Sequence, residues 1–113
     1  MQTWDLIAME TPGGSASPVV LATADQARAV LIALHPGQQL GDHEVKEGAW
    51  LLVLDGETTV AGGDGAIEAG PGMLVQFAPQ ERRSVSSLGG ARLLLFLAPW
   101  PGEGHYSAEE RDL

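Results

Sequence analysis

The stretch Ala49-Trp50-Leu51-Leu52-Val53-Leu54-Asp55-Gly56-Glu57-Thr58-Thr59-Val60-Ala61-Gly62-Gly63-Asp64-Gly65 decides the fold class. It opens on an unbroken apolar run from Ala49 to Leu54, and a short run of that kind bounded by turn residues reads as a strand that is apolar on both faces. Asp55-Gly56 then signals a hairpin, because its turn needs positive φ, which Gly adopts without a Cβ clash. The β-branched segment Thr58-Thr59-Val60 supplies the return strand. Gly62-Gly63-Asp64-Gly65 makes a second turn leading to Ala66 to Glu68.

The same rhythm runs outward in both directions. Gly, Pro, Asp and Ser clusters recur about every ten residues and leave short apolar runs between them, the pattern of a sandwich or barrel. Further strands are predicted near Trp4 to Ala8, Val19 to Ala22, Arg28 to Leu34, Met73 to Phe77, Arg82 to Ser86 and Arg92 to Ala98. With those at 49–54, 58–61 and 66–68 the expectation is an all-β fold of nine strands, without an internal repeat. Thr11 to Pro18 reads as a surface loop. After Ala98 the run Pro99-Trp100-Pro101-Gly102 cannot continue a central strand, since proline removes ladder donors. In the tail, Ser107 with Glu110 three positions on forms a capping box for one helical turn.

Composition closes several doors. The chain has 113 residues, a length suited to one domain spanning 1–113, with a core at about 28–98 and a tail at 99–113. Its 15 acidic against 6 basic residues give a net charge of -9, which offers no footprint for nucleic acid and is repelled by acidic membrane surfaces. Without cysteine, disulfides, zinc-thiolate sites, Fe–S clusters and thiol catalysis are excluded, and only three histidines exist. No segment reaches the ~20 apolar residues of a membrane span, and a cytoplasmic setting is expected. No G-x-S-x-G elbow, phosphate loop or His-Glu-x-x-His pair is present.

At Pro36-Gly37-Gln38-Gln39-Leu40-Gly41-Asp42-His43 and Leu54-Asp55-Gly56 the sequence resembles the cupin family, whose first motif is G-x5-H-x-H-x3,4-E-x6-G. Gly37, His43 and Gly56 fall in register with it. The second motif, G-x5-P-x-G-x2-H, is matched with one residue of slack by Gly72 and Pro79. The resemblance covers roughly residues 28 to 98 and implies a double-stranded β-helix, or jelly-roll barrel. Val45 stands at the second histidine position, and Ala49, or Trp50 at the longer spacing, at the glutamate. Gln80 replaces the turn glycine, and Arg83 falls at the last histidine. The family's metal takes imidazole and carboxylate donors at about 2 Å. Val45 and Ala49 donate no electron pair, and a permanent guanidinium repels a divalent cation. No metal or other cofactor is therefore carried over.

The same register places candidate pocket residues at the barrel mouth. His43 is a candidate polar contact or general base, or a histidine bonded only to its own chain. Glu47 shares strand parity with Val45 and Ala49 and either orients His43 or belongs to a solvated loop. Arg83 suits an anion held bidentately, or else pairs with Glu47 or Glu81, or faces outward on an edge strand. Val45, Ala49, Leu51 and Phe77 complete the candidate lining. Trp50, Leu52 and Leu54 form the second apolar face of their strand, which is covered either by the chain's own N-terminal strand or by a second copy in a homodimer.

The leading expectation is a metal-independent small cupin that binds a small, as yet unidentified molecule in the barrel mouth, an anion being one candidate. Two other readings stay open. One is a metal-dependent enzyme of dioxygenase or isomerase type with irregular ligands drawn from His43, Glu47, His35 and His105. The other is a structural or accessory dimer whose pocket its own side chains fill.

Overall fold

The computed structural model describes residues 1–11, 18–24, 26–43 and 48–98. Among them are nine strands: β1 (Val19–Ala24), β2 (Ala27–Leu34), β3 (Gln39–His43), β4 (Gly48–Gly56), β5 (Thr58–Gly62), β6 (Gly65–Ala69), β7 (Leu74–Phe77), β8 (Arg83–Ser86) and β9 (Ala91–Ala98). They form a five-stranded sheet in the order β1-β2-β9-β4-β7 and a four-stranded sheet in the order β3-β8-β5-β6. The pairings between neighbours are antiparallel. No described helix is long and apolar enough to cross a membrane.

The interior lies between the sheets. Val30, Ile32 and Leu34 of β2, Ala49, Leu51 and Val53 of β4 and Leu93 and Leu97 of β9 meet Val60 of β5 and Val85 of β8 there. The alternation of β2 and β4 places these residues on one face, as the two-residue period of a strand requires. Each of the Val, Leu and Ile side chains, removed from water, contributes about 1.5–3 kcal/mol before the cost of ordering the chain. β9 is central in its sheet, with β2 on one side and β4 on the other, and it buries Leu93 and Leu97 on its inner face while Leu94 and Phe96 stand on the outer one.

One end of the barrel is tied shut by polar groups. Gly37 N–H donates to the Ser87 carbonyl at 2.8 Å and Ser87 N–H to that of Gln38 at 3.2 Å. The Ser87 hydroxyl donates to the Glu57 carbonyl at 2.6 Å, and that of Thr58 to the Ala69 carbonyl at 2.8 Å. Ser87 and Thr58 are both buried, so each bond satisfies a group that water cannot reach. Gly56 adds a close backbone approach: its φ is +85°, and a Cβ there would collide with the Gly90 carbonyl oxygen and lie 2.8 Å from Ala91 Cα.

Three tight turns share one chemistry. Gln38 N–H donates to the His35 carbonyl, Met73 N–H to that of Gly70 and Glu81 N–H to that of Ala78, at 2.9, 3.1 and 3.1 Å. Each has Pro at the second position, Pro36, Pro71 and Pro79, and positive φ at the third: +83° at Gly37, +89° at Gly72 and 66° at Gln80. These are the marks of type II turns.

Three element expectations are corrected. Residues 4–8 are not a strand but contain a turn over 6–8, in which Asp5 accepts from the Ile7 and Ala8 N–H groups at 3.2 and 3.0 Å. That local bonding competes with extended backbone. β3 occupies Gln39–His43, where only Leu40 is a large apolar residue, so periodicity did not reveal it. Asp55-Gly56 is not a hairpin turn: both residues end β4, which pairs with β9 and β7, while β5 belongs to the other sheet. Glu57 alone links the two sheets there. The turn at 62–65 is the hairpin expected, with Gly62 opposite Gly65.

Candidate functional site

The end of the barrel opposite the polar ties carries the first residues of β2, the last of β3, the first of β4 and the last of β7 and β9. The register sets Arg28 opposite Leu97, Leu97 opposite Ala49 and Ala49 opposite Phe77, one row across the five-stranded sheet. On the other sheet, His43 is the register partner of Arg83.

Arg83 faces inward. β8 alternates buried and half-buried residues starting from Arg83, which is only 5% exposed, on the same parity as the core residue Val85. Its guanidinium carbon lies 5.4 Å from the centre of the Phe77 ring, within cation–π range. The outward alternative for Arg83 is thereby set aside. Of the pairings considered for it, Glu81 is a charge neighbour.

Glu81 fixes the approach to this end. Its Oε1 accepts from Ala78 N–H at 3.0 Å, closing the Pro79-Gln80 turn, and its Oε2 accepts from Gly63 N–H at 3.0 Å, in the β5–β6 hairpin. Those two donors, followed by the Arg83 charge, hold its carboxyl below the ordinary glutamate range despite partial desolvation. A Cβ on Gly62 would lie 2.8 Å from Oε2, so this glycine gives the carboxylate its room.

Open cavities surround the Glu81 bridge. One of about 350 Å³ lies between the edge strands β6 and β7, lined by Ile67, Val75 and Phe77 with Asp64 and Glu81. A second of about 330 Å³ is lined by Ala61, Gly62, Gly63, Arg82, Arg83 and Ser84. A third of about 520 Å³ runs beside Gly48, Trp50, Phe77 and Pro79 to Ala98.

The structure thus brings Arg83 and Phe77 together, with His43 at the register position opposite Arg83. Ala49 and Leu51 are fully buried in the interior cluster. Val45, Glu47, His105, the capping box and the tail from Pro99 lie outside the described residues. His35 is exposed at the tied end, where its N–H donates to Gln38 Oε1 at 2.8 Å.

The regular metal donors of the resembling family do not fit this site. An inward, permanently charged guanidinium occupies the last histidine position, and the buried Ala49 methyl one of the two glutamate positions. Among the described residues no three His, Asp or Glu side chains gather as a metal cluster.

Sequence reasoning passed over Arg28. Its strand, Ala-Arg-Ala-Val-Leu-Ile-Ala-Leu, carries Arg28 on the parity of Val30, Ile32 and Leu34, so alternation alone places it on the interior face at the open end. It is half-buried, and its Nε donates to Thr23 Oγ1 at 3.0 Å.

No protein-family profile matches the sequence, and no curated protein is significantly similar to it. Solved structures are similar in shape. An RmlC-like cupin protein from Desulfovibrio desulfuricans superposes with a TM-score of 0.78 at 20% identity, over 88% of this chain and 97% of that one. A conserved Klebsiella pneumoniae protein with a double-stranded β-helix domain gives 0.79 at 18% identity, over 90% and 93%. A cupin superfamily protein from Desulfitobacterium hafniense gives 0.75 at 17%, over 83% and 86%. Two antiparallel sheets closed at one end, three Pro-led turns and these likenesses together establish that the chain adopts the cupin fold, the double-stranded β-helix.

Proposed function

We propose that this protein binds a small anion at the open end of its barrel without a metal, with Arg83 as the principal contact and His43 beside it. The observation that carries this reading is the position of Arg83: a side chain that stays charged at any physiological pH is held 5% exposed on the interior face, against an aromatic ring. A well-packed hydrophobe at such a place commonly stabilises a protein as much or more, so a cation kept there is better explained by recognition than by stability. A guanidinium offers a planar fork that matches a carboxylate with two parallel hydrogen bonds.

The test is titration of isotope-labelled protein with propionate at constant ionic strength, followed by amide chemical shifts. Wild type is expected to show saturable shifts centred on β8 and Phe77, and Arg83→Gln to weaken the affinity at least about tenfold, the loss of one charge-assisted pair. Shifts that never saturate, or equal affinity in a folded Arg83→Gln protein, would sink the reading.

Two further elements belong to the proposal. Two copies pair through the outer face of the five-stranded sheet, where Trp50 and Phe96 sit opposite each other and are both 39% exposed. The setting is cytoplasmic, with which a chain devoid of cysteine is compatible.

A further inference from the structure

We infer that the gap between β6 and β7 is a second binding site, apart from the Arg83 contact, and that it takes a primary amine with a short apolar body. Each of the two strands ends its sheet, β6 beyond β5 and β7 beyond β4. Residues opposite each other in a strand pair share one face. Ile67 stands opposite Val60 and Val75 opposite Leu51, and both partners belong to the interior cluster. Ile67 and Val75 therefore have core parity, yet Ile67 is 48% exposed and Val75 only half-buried. Water reaches these core-facing side chains because, among the described strands, none bridges the two edges.

The resulting cavity of about 350 Å³ has Ile67 and Val75 on its lining. That is the small end of the roughly 300–1,000 Å³ range of ligand pockets, which suits a body of a few carbons and not a protein segment. Its charged groups select the sign of the ligand. Asp64 and Glu81 line it, and among the described residues no Lys or Arg does. The two carboxylates converge over Gly62: a Cβ there would stand 2.8 Å from Glu81 Oε2, 3.6 Å from Asp64 Oδ1 and 3.6 Å from Phe77 Cε1. Each Glu81 oxygen accepts one backbone N–H, which leaves it a second acceptor position. The same two donors favour the charged form of Glu81. Its charge neighbour Arg83, together with Arg82, lines the adjacent cavity instead. An ammonium group brings three donors to the carboxylates while its alkyl body covers Ile67 and Val75. The net charge of -9 draws cations to the surface at large, and this gap offers an organic one apolar contact as well.

The experiment is an amide-shift titration at neutral pH and constant ionic strength with pentylammonium, with pentan-1-ol, which has the body without the charge, and with methylammonium, which has the charge without the body. Pentylammonium is expected to give saturable shifts centred on β6, β7 and Gly63, and to bind at least about tenfold more tightly than methylammonium and about threefold more tightly than pentan-1-ol. Asp64→Asn should remove the preference over pentan-1-ol, and Ile67→Thr should weaken both pentyl probes. Asp64 lies in an exposed turn and Ile67 on an edge strand, so both variants retain the barrel, which their amide spectra report directly. Wild-type shifts that never saturate or that centre elsewhere, pentan-1-ol bound as tightly as pentylammonium, or undiminished pentylammonium affinity in either variant would overturn the site. So would a dimeric wild type that Ile67→Thr turns into a monomer, since a second copy would then fill the gap. The anion reading at Arg83 is decided separately, by its own propionate titration.

Discussion

Gln80 adopts φ 66°, the left-handed region that costs a side-chain-bearing residue roughly 1–2 kcal/mol. Its two sister turns place Gly37 and Gly72 at the same position. Gln80→Gly should therefore stabilise the protein, by about 0.5–1 kcal/mol once the greater freedom of glycine in the unfolded chain is subtracted, seen as a higher urea midpoint with an unchanged slope. An unchanged or lowered midpoint would show that the Gln80 side chain contributes contacts that offset its backbone. The sequence revealed this position only as a gap in a motif, since nothing in a glutamine announces positive φ. Arg83 was legible in the same indirect way, through register. Arg28 was legible in principle by counting alternate residues back from Val30, but no motif drew attention to it.

Among the elements, the β7–β8 turn and the β5–β6 hairpin are joined through one carboxylate, that of Glu81. Because its folded pKa lies below the ordinary glutamate value, its contribution is complete above that ordinary value and is lost as pH falls through the lowered one. Glu81→Gln should accordingly be less stable than wild type near about pH 7, and the gap should shrink as pH falls below the ordinary glutamate value of about 4.3, as compared by urea unfolding at each pH. A gap of constant size would assign the effect to packing instead of charge. Strands β4 and β9 were plain in the sequence because their apolar runs are long for a strand and sharply bounded. β3 was hidden, since Gln39, Gly41, Asp42 and His43 give it no hydrophobic alternation and its existence depends on pairing with β8. The Asp55-Gly56 signal was real as a bend, but bends also occur where a chain leaves one sheet for the other. Only tertiary pairing separates the two cases.

At the scale of the whole molecule, the outer face of the five-stranded sheet is the charge-poor side of an acidic protein. Leu74, Leu52 and Leu94 form one row across it, and Gln76, Trp50 and Phe96 the next. Leu31, fully buried yet outside the interior cluster, shows that part of this face is already covered. There Arg92 Nη1 donates to the Leu6 carbonyl at 2.8 Å, so the N-terminal segment reaches the sheet, though not as a strand. The uncovered rows are where a second copy can approach without bringing like charges together. Wild type is expected to run at twice the chain mass in light scattering after size exclusion, and Trp50→Glu at the chain mass with an unchanged β-sheet spectrum. A monomeric wild type, or a Trp50→Glu protein that stays dimeric, would move the interface elsewhere.

The place of β9 between β2 and β4 also governs how the chain must fold. Arg28 finds its partner in Leu97, so the larger sheet cannot close until the rest of the barrel has been synthesised. Until then β1 with β2 and β4 with β7 are separate pairs. Pairings of such long sequence separation slow folding and prolong the exposure of sticky strand surfaces. A break in the chain before residue 91 would thus leave two unjoined half-sheets in place of the five-stranded sheet, making β9 the strand on which the integrity of that sheet depends.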